Sequence, residues 1–414
     1  MIGEIIAIGD ELTSGRILNS TSYFAASHLY GAGHEIAAMA TIGDAPEMIG
    51  KAIRESIERA DFVVVTGGLG ATSDDKTTKA VADALDRPTT FYPEIFEKIK
   101  ESQSFREMPS LEKLAWLPSG AEILKPGEKI AGYLLVYNKK PIFFLPGIPY
   151  QMRELMLDRV IPRLAAWSGD MGLVRQKVYK VFGLEEHVIH GRLASLEKEN
   201  RLLRIGYYPV SAEVHVSLTV RGETGQEADQ SFSQSDIGIK KALGDCIYDE
   251  DGNSLEMIVG KALRDRGFML GLAESCTGGG LAHRITTVPG SSAYFSGGIV
   301  AYTNKMKECF LRVRPETLEK YGAVSRETAR EMAFGACTSI GSDVTLAITG
   351  IAGPDGGTKE KPVGTVYFGL ATPEFVRDFS FLFTGKRDMI QTKSAMTGLD
   401  LLRRYLLKLH LPDS

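Results

Sequence analysis

Phe268-Met269-Leu270-Gly271-Leu272-Ala273-Glu274-Ser275-Cys276-Thr277-Gly278-Gly279-Gly280 is the stretch on which the fold turns. A short apolar run passes through a polar step into three glycines. The run has the length of a buried strand, and the glycines stand where a helix would begin. Such a junction exposes a side chain at the carboxyl edge of a sheet and points free backbone N–H groups into the same space. A serine there can be a nucleophile, with those N–H groups as an oxyanion hole. The plainer alternative is a tight turn in which Ser275 and Thr277 only cap a helix.

Working outward, two more strand ends carry the same kind of hardware. Residues 298–302 read as a strand running into Tyr302-Thr303-Asn304-Lys305-Met306-Lys307. A lysine there can serve as general base for a serine if burial lowers its pKa. Lys305 and Lys307 lie two apart and cannot share a helix face, so at most one reaches Ser275, and spacing does not say which. Residues 344–348 read as a buried strand ending in Thr349-Gly350-Ile351-Ala352-Gly353-Pro354-Asp355-Gly356-Gly357, a loop whose backbone can approach a ligand closely. Ligands of open α/β sheets bind at the carboxyl ends of strands, where all three segments fall. Helices are expected at 278–286, 305–312 and 326–341, antiparallel strands at 363–371 and 377–383, and a last helix bearing Met389, Met396, Leu399, Leu402, Leu406 and Leu409 near one face. With a helix started by Asn253 or Ser254 and stopped at Gly267, residues 254–414 form an α/β domain.

Residues 1–168 alternate strands (4–8, 35–41, 61–66, 141–145) with helices (20–30, 46–59, 76–85, 150–166), which predicts a mostly parallel sheet covered on both faces. One strand runs into Thr66-Gly67-Gly68-Leu69-Gly70-Ala71-Thr72-Ser73-Asp74-Asp75. Gly67, Gly68, Gly70 and Thr72 are candidates to cradle a phosphate, and Asp74 and Asp75 to hold a divalent cation on it. Aspartates at a helix start are also ordinary caps. Residues 170–252 read as a small α+β unit, with alternating strands at 174–182 and 212–220 and helices at 185–199 and 228–244.

The 414 residues exceed one ordinary domain, and 43% hydrophobic with 24% charged content fits a globular chain. Net charge is −4, from 48 basic and 52 acidic residues, which gives no bulk attraction to nucleic acid or anionic lipid. The four cysteines, Cys246, Cys276, Cys309 and Cys337, have no zinc spacing and are expected as reduced thiols. Glu4 interrupts the first apolar run, no signal peptide or membrane span is expected, and a cytoplasmic location follows.

Four segments, Glu274–Gly279, Tyr302–Lys307, Thr349–Pro354 and Pro362-Val363-Gly364-Thr365-Val366, match in order the motifs of the CinA (competence/damage-inducible) family. The chain resembles that family over nearly its whole length. The resemblance implies three parts: a molybdopterin-binding-like three-layer domain (1–168), a KH-like linker (170–252) and a nicotinamide-nucleotide amidohydrolase (254–414). It implies Ser275 as nucleophile, Lys307 as base, and Tyr302 and Thr349 as supporting groups. Thr277, Gly278, Gly279, Gly350, Gly353 and Arg387 would bind substrate, the backbone N–H groups near Thr277–Gly279 as oxyanion donors and Arg387 as the phosphate ligand. The rival nucleophile is Cys276. The reaction implied is deamidation of nicotinamide mononucleotide without a cofactor.

Lys386 and Gln391 stand where the family has an aspartate and a second arginine. The first domain is linked in the family to ADP-ribose pyrophosphatase activity using a divalent metal and potassium. Its pattern departs here at Asn19, Thr21, Ala71, Gln151 and a shortened stretch, 126–132. A pyrophosphatase with a regulatory C-terminal domain is one alternative, and a non-catalytic pterin or nucleotide sensor another. No Gly-x-x-Gly loop is placed in the linker, so RNA binding is not expected. Nucleotide substrates and homodimerisation are.

Overall fold

Runs such as Ile5-Ile6-Ala7-Ile8 and Phe62-Val63-Val64-Val65 are apolar at every position, which suits strands covered on both faces. The computed structural model shows this, and describes residues 1–72, 75–101, 109–125, 132–168 and 174–412. Asp74 and most of the shortened stretch, 126–131, lie outside the described residues.

The first sheet has the order β2-β1-β3-β8-β7-β6, with β1 (Ile2–Ile8), β2 (Glu35–Ile42), β3 (Phe62–Thr66), β6 (Glu122–Ile123), β7 (Tyr133–Tyr137) and β8 (Lys140–Leu145). β1, β2, β3 and β8 run parallel, while β7 and β6 are antiparallel additions. Alternate residues feed opposite cores. Val63 and Val65 pack with Ile49 and Ile53 of helix Pro46–Arg59, whereas Phe62 and Val64 pack with Leu29 and Met152 on the other face. A short pair, β4 (Thr89–Phe91) and β5 (Trp116–Pro118), stands apart from this sheet. The helix expected at 150–166 is split by a π turn, Met156–Val160, just before Pro162. Proline has no N–H to give, and the wider turn accommodates the missing bond.

Compactness divides the chain into residues 1–176 with 221–228, and residues 177–220 with 229–414. The second unit carries a four-stranded sheet, β10-β11-β9-β12: β9 (Val174–Val181), β10 (Leu203–Val210), β11 (Glu213–Arg221) and β12 (Ile247–Asp249). β10 was not read from the sequence, because its mixed Tyr, Pro and Arg content hides the alternation. Phe182 and Tyr248 share one apolar core with Leu255 and Val259 of the next helix. Gly222-Glu223-Thr224-Gly225 does have Gly-x-x-Gly spacing, a correction to the sequence reading. It leads from β11 into helix Gly225–Leu243, and Glu227 takes the Glu223 N–H at 2.8 Å. A loop that fills its own N–H with a carboxylate is poorly suited to a nucleic-acid phosphate.

The last sheet has the order β14-β13-β15-β16-β17: β13 (Leu270–Glu274), β14 (Phe295–Val300), β15 (Val344–Gly350), β16 (Thr365–Ala371) and β17 (Val376–Leu382). The first three are parallel, and the last two are antiparallel, as the sequence predicts for that pair. Helix Arg387–Leu406 buries Ile390, Leu399 and Leu402 against this sheet's core. β14 stops at Val300 and not Tyr302, because the Ala301 carbonyl is drawn to a lysine amine. Helix Pro315–Tyr321 is additional to the sequence reading.

Candidate active site

Ser275 follows β13 directly. Its N–H extends the ladder to the Ile348 carbonyl at 2.9 Å, and its own carbonyl accepts from Gly278 N–H at 3.1 Å, closing a tight turn. Gly278 (φ +64) and Gly279 (φ +95) are left-handed, which only glycine adopts cheaply. The helix therefore begins at Gly280, two residues later than the sequence suggested. Glu274, 1% exposed, folds over that helix start. Its carboxylate accepts from Gly279 N–H (3.0 Å), Leu281 N–H (3.1 Å) and Ala282 N–H (2.7 Å). This corrects the expected oxyanion donors. Gly278 and Gly279 spend their N–H groups inside the protein, and among the described residues only Cys276 and Thr277 of this turn have N–H groups that no other residue claims. The Thr277 hydroxyl is likewise buried with no hydrogen-bond partner.

Lys307 lies in helix Asn304–Leu311, which Thr303 caps. The side chain is 1% exposed, whereas Lys305 faces solvent. Its Nζ donates to Ser275 Oγ at 2.9 Å and to the Ala301 carbonyl at 2.7 Å, with the Tyr302 carbonyl at 3.4 Å. It makes no ion pair among the described residues. Burial without a counter-charge pushes its pKa down to about 8. A neutral amine can give its hydrogens to the two carbonyls and turn its lone pair toward Ser275. Cys276 is the opposite case. Burial pushes its thiol up to about 12, so it stays protonated at neutral pH and is a poor nucleophile.

The other expected residues divide. Thr349 follows Ile348, the register partner of Glu274, so it stands alongside Ser275. Its hydroxyl donates to the Ala323 carbonyl at 2.7 Å. Tyr302 is half exposed, and its phenol accepts from Arg387 at 2.8 Å. Arg387 also donates to the Gly353 carbonyl at 2.7 Å, so it ties two loops together. A Cβ on Gly350 would meet the Thr365 carbonyl at 2.8 Å, and one on Gly353 would meet Val363 at 2.6 Å, so both serve close packing of the loop. Two residues were undervalued from sequence. Glu274 reads as part of a motif but acts as an internal cap. Gln391 reads as a lost arginine, yet its Nε2 donates to the Cys276 carbonyl at 2.8 Å and braces the nucleophile turn. The i, i+4 spacing of Arg387 and Gln391 was the available signal.

In the first unit, a crevice of about 500 Å³ opens at the carboxyl ends of β1, β3 and β8, lined by Asn19, Thr21, Gly67, Gly68, Gly70 and Asp75, among others. Gly67 (φ +99) passes so close to β1 that a Cβ would fall 2.1 Å from the Ile8 carbonyl. Among the described residues, no hydrogen bond claims the N–H groups of residues 68–71. Thr72, expected at the phosphate, instead gives its N–H to Asp75 at 2.9 Å and its hydroxyl to the same oxygen. Asp75 is thus folded onto its own loop. Among the described residues no group of three His, Cys, Asp or Glu side chains is placed to hold a metal, so these residues build no cation cage of their own. No helix among them is long and apolar enough to cross a membrane.

Three known family models match the chain in succession. Residues 4–166 match the family described as "Probable molybdopterin binding domain", 176–248 the "Damage-inducible protein CinA KH domain" and 252–406 the "CinA C-terminal domain". A CinA-like protein of Desulfotalea psychrophila is 51% identical over 98% of this chain and 99% of its own. One from Geobacter sulfurreducens is 39% identical over 97% and 98%, and one from Geotalea uraniireducens 36% over 98% and 97%.

Proposed function

The chain belongs to the CinA family, and from that premise we propose that its C-terminal domain is a serine–lysine amidohydrolase converting nicotinamide mononucleotide to nicotinic acid mononucleotide and ammonia. The observation that carries this reading is the buried Lys307 amine, 2.9 Å from Ser275 Oγ, with no carboxylate to hold its proton.

Neutral Lys307 takes the Ser275 proton as Oγ attacks the carboxamide carbon. The carbonyl oxygen becomes an oxyanion, facing the unclaimed N–H groups of Cys276 and Thr277. As the C–N bond breaks, the Lys307 ammonium returns its proton to the leaving nitrogen and ammonia departs. Water then attacks the acyl-serine with Lys307 again as base, and the acid leaves. No step needs a metal or cofactor. Arg387 is the one phosphate ligand the motif comparison supplies, and to bind it must loosen its hold on Tyr302 and Gly353.

Ammonia release from nicotinamide mononucleotide in EDTA, beside a Ser275→Ala variant, tests this. Release that vanishes in the variant is expected; no release from folded wild-type protein overturns the assignment.

The first domain supports a second reading through its crevice and the N–H groups of residues 68–71, which no acceptor claims among the described residues. We read it as a site for a phosphate-containing nucleotide, with ADP-ribose hydrolysis in divalent metal and potassium as the activity to assay. The described residues supply no metal cage, so no step is drawn through one.

A further inference from the structure

Helices Asn304–Leu311 and Arg326–Ile340 of the C-terminal domain meet beside the start of β17 and leave a groove of about 510 Å³. Ser275, Lys307 and Thr349 take no part in its lining, so it is not the serine–lysine site. The two helices approach backbone to backbone, since a Cβ on Gly335 would collide with the Leu311 carbonyl. That close approach makes the floor. Phe334, 63% exposed, and Val376 are apolar walls left open to solvent. A space of this size accommodates a small organic ligand.

The charged part of the lining is three arginines against one carboxylate, Glu331. Two of the arginines are already engaged. Arg314 gives its Nε to Glu331 at 2.9 Å and its backbone N–H to the other oxygen at 2.9 Å, and Thr317 adds a third donor. Arg330 lies 3.4 Å from the Asp378 carboxylate, which also takes Arg326 at 2.8 Å. The Arg312 side chain has no hydrogen bond and no ion pair among the described residues.

Arg312 is also unusual in its backbone. It ends its helix in the left-handed region, at φ +54. Two other helices of the domain end the same way at Gly267 (φ +66) and Gly341 (φ +73). Glycine takes that conformation without a clash, and arginine does not. A guanidinium held at a strained position, with no partner in its own chain, points to a ligand from outside. One free guanidinium matches one carboxylate, through two parallel hydrogen bonds. With the other two arginines engaged, a polyanion such as a nucleotide is disfavoured. The exposed Phe334 ring and Val376 suit a flat apolar body.

We propose that this groove binds a small aromatic monocarboxylate, its carboxylate on Arg312 and its ring against Phe334. The site is independent of the deamidase reading and stands if that reading fails.

The test is a ligand-observed NMR titration of the full-length chain with three probes. These are 3-phenylpropionate, 3-phenylpropan-1-ol (the ring without the charge) and acetate (the charge without the ring). The aromatic acid should bind saturably, at low millimolar concentration or below, and the other two about tenfold more weakly or worse. Arg312→Gly should weaken binding of the acid by about tenfold or more, while the ligand-free melting temperature holds or rises. Phe334→Ala, at an exposed position, should weaken it by about threefold or more. Four results would overturn the proposal: no saturable binding of the acid, equal affinity for acid and alcohol, unchanged affinity in either variant, or a melting temperature lowered by more than about 5 °C in Arg312→Gly. The last would mean that the guanidinium already serves the fold.

Discussion

Residues 66–72, leading toward the helix at Thr77, and residues 274–282 are the same device used in opposite ways. Each is a parallel strand that runs into left-handed glycines and then a helix. In the C-terminal turn the protein's own carboxylate, Glu274, fills the helix start, and two N–H groups are left over. In the N-terminal loop, among the described residues, the Asp75 carboxylate takes only Thr72, and no acceptor claims the N–H groups of residues 68–71, which lie beside two cavities. A closed junction suits chemistry at one fixed atom, because it holds Ser275 and Lys307 in place before substrate arrives. An open one suits binding, because the anion is supplied from outside.

The contrast breaks first at Lys307. A Lys307→Met variant keeps the stem volume and removes the base, and amidase activity should fall by about 10³-fold or more. Wild-type activity should rise with pH through about 8, as the amine loses its proton. Stability moves in the same direction, over a higher window. The folded-state pKa lies below that of the unfolded chain, so the unfolded state binds more protons between about 8 and 10.5, and stability rises with pH across that window. Methionine removes this penalty, so the variant should melt higher than wild type below pH 8, by a margin that shrinks toward pH 10.5. A loss of both activity and stability at pH 7 would show that the amine is held charged.

Next in size is Glu274→Ala, which would turn the closed junction into an open one. Three N–H groups lose their acceptor, and a cost of about 2–4 kcal/mol is expected in chemical denaturation. The deamidase should lose roughly tenfold or more as the turn loosens. Phosphate or sulfate should then stabilise the variant more than wild type, since the helix start is free for an anion. Equal salt response in both would separate the two junctions by something other than Glu274.

The mirror experiment is Gly68→Ala. A Cβ there would sit 2.0 Å from Thr77 Oγ1, on a residue at φ +66. Binding of phosphate-containing nucleotides to the first unit should weaken by about tenfold, measured by calorimetry, with ammonia release by the C-terminal site unchanged. A matching loss at both sites would mean that the loop acts beyond its own unit.

How much of this was legible follows the same division. Strand–glycine–helix junctions announce themselves through apolar runs and glycines, so all three strand ends of the C-terminal site could be read, though not the order of the strands in its sheet. Which of Lys305 and Lys307 turns inward could not, because two residues on one helix differ only in what packs over them. The use of Gly278 and Gly279 was misread for a related reason. Sequence shows that a helix start has free N–H groups, but not that a carboxylate five to eight residues earlier will take three of them. The groove beside Phe334 was invisible, since its walls come from residues 311–376 brought together only by the fold.

The smallest expected effect tests how far the closed junction depends on its brace. Gln391 donates to the Cys276 carbonyl from the same helix face on which Arg387 holds Tyr302 and Gly353. That hydrogen bond steadies the peptide unit whose N–H belongs to Thr277, one of the two left for an oxyanion. Gln391→Ala should therefore lower kcat by about three- to tenfold, the equivalent of roughly one neutral hydrogen bond. KM should stay within about twofold, because the contact is made whether or not substrate is bound. The opposite split, a raised KM with unchanged kcat, would move Gln391 from the turn to the substrate. The missing arginine would then have been replaced in its binding role, and not merely lost.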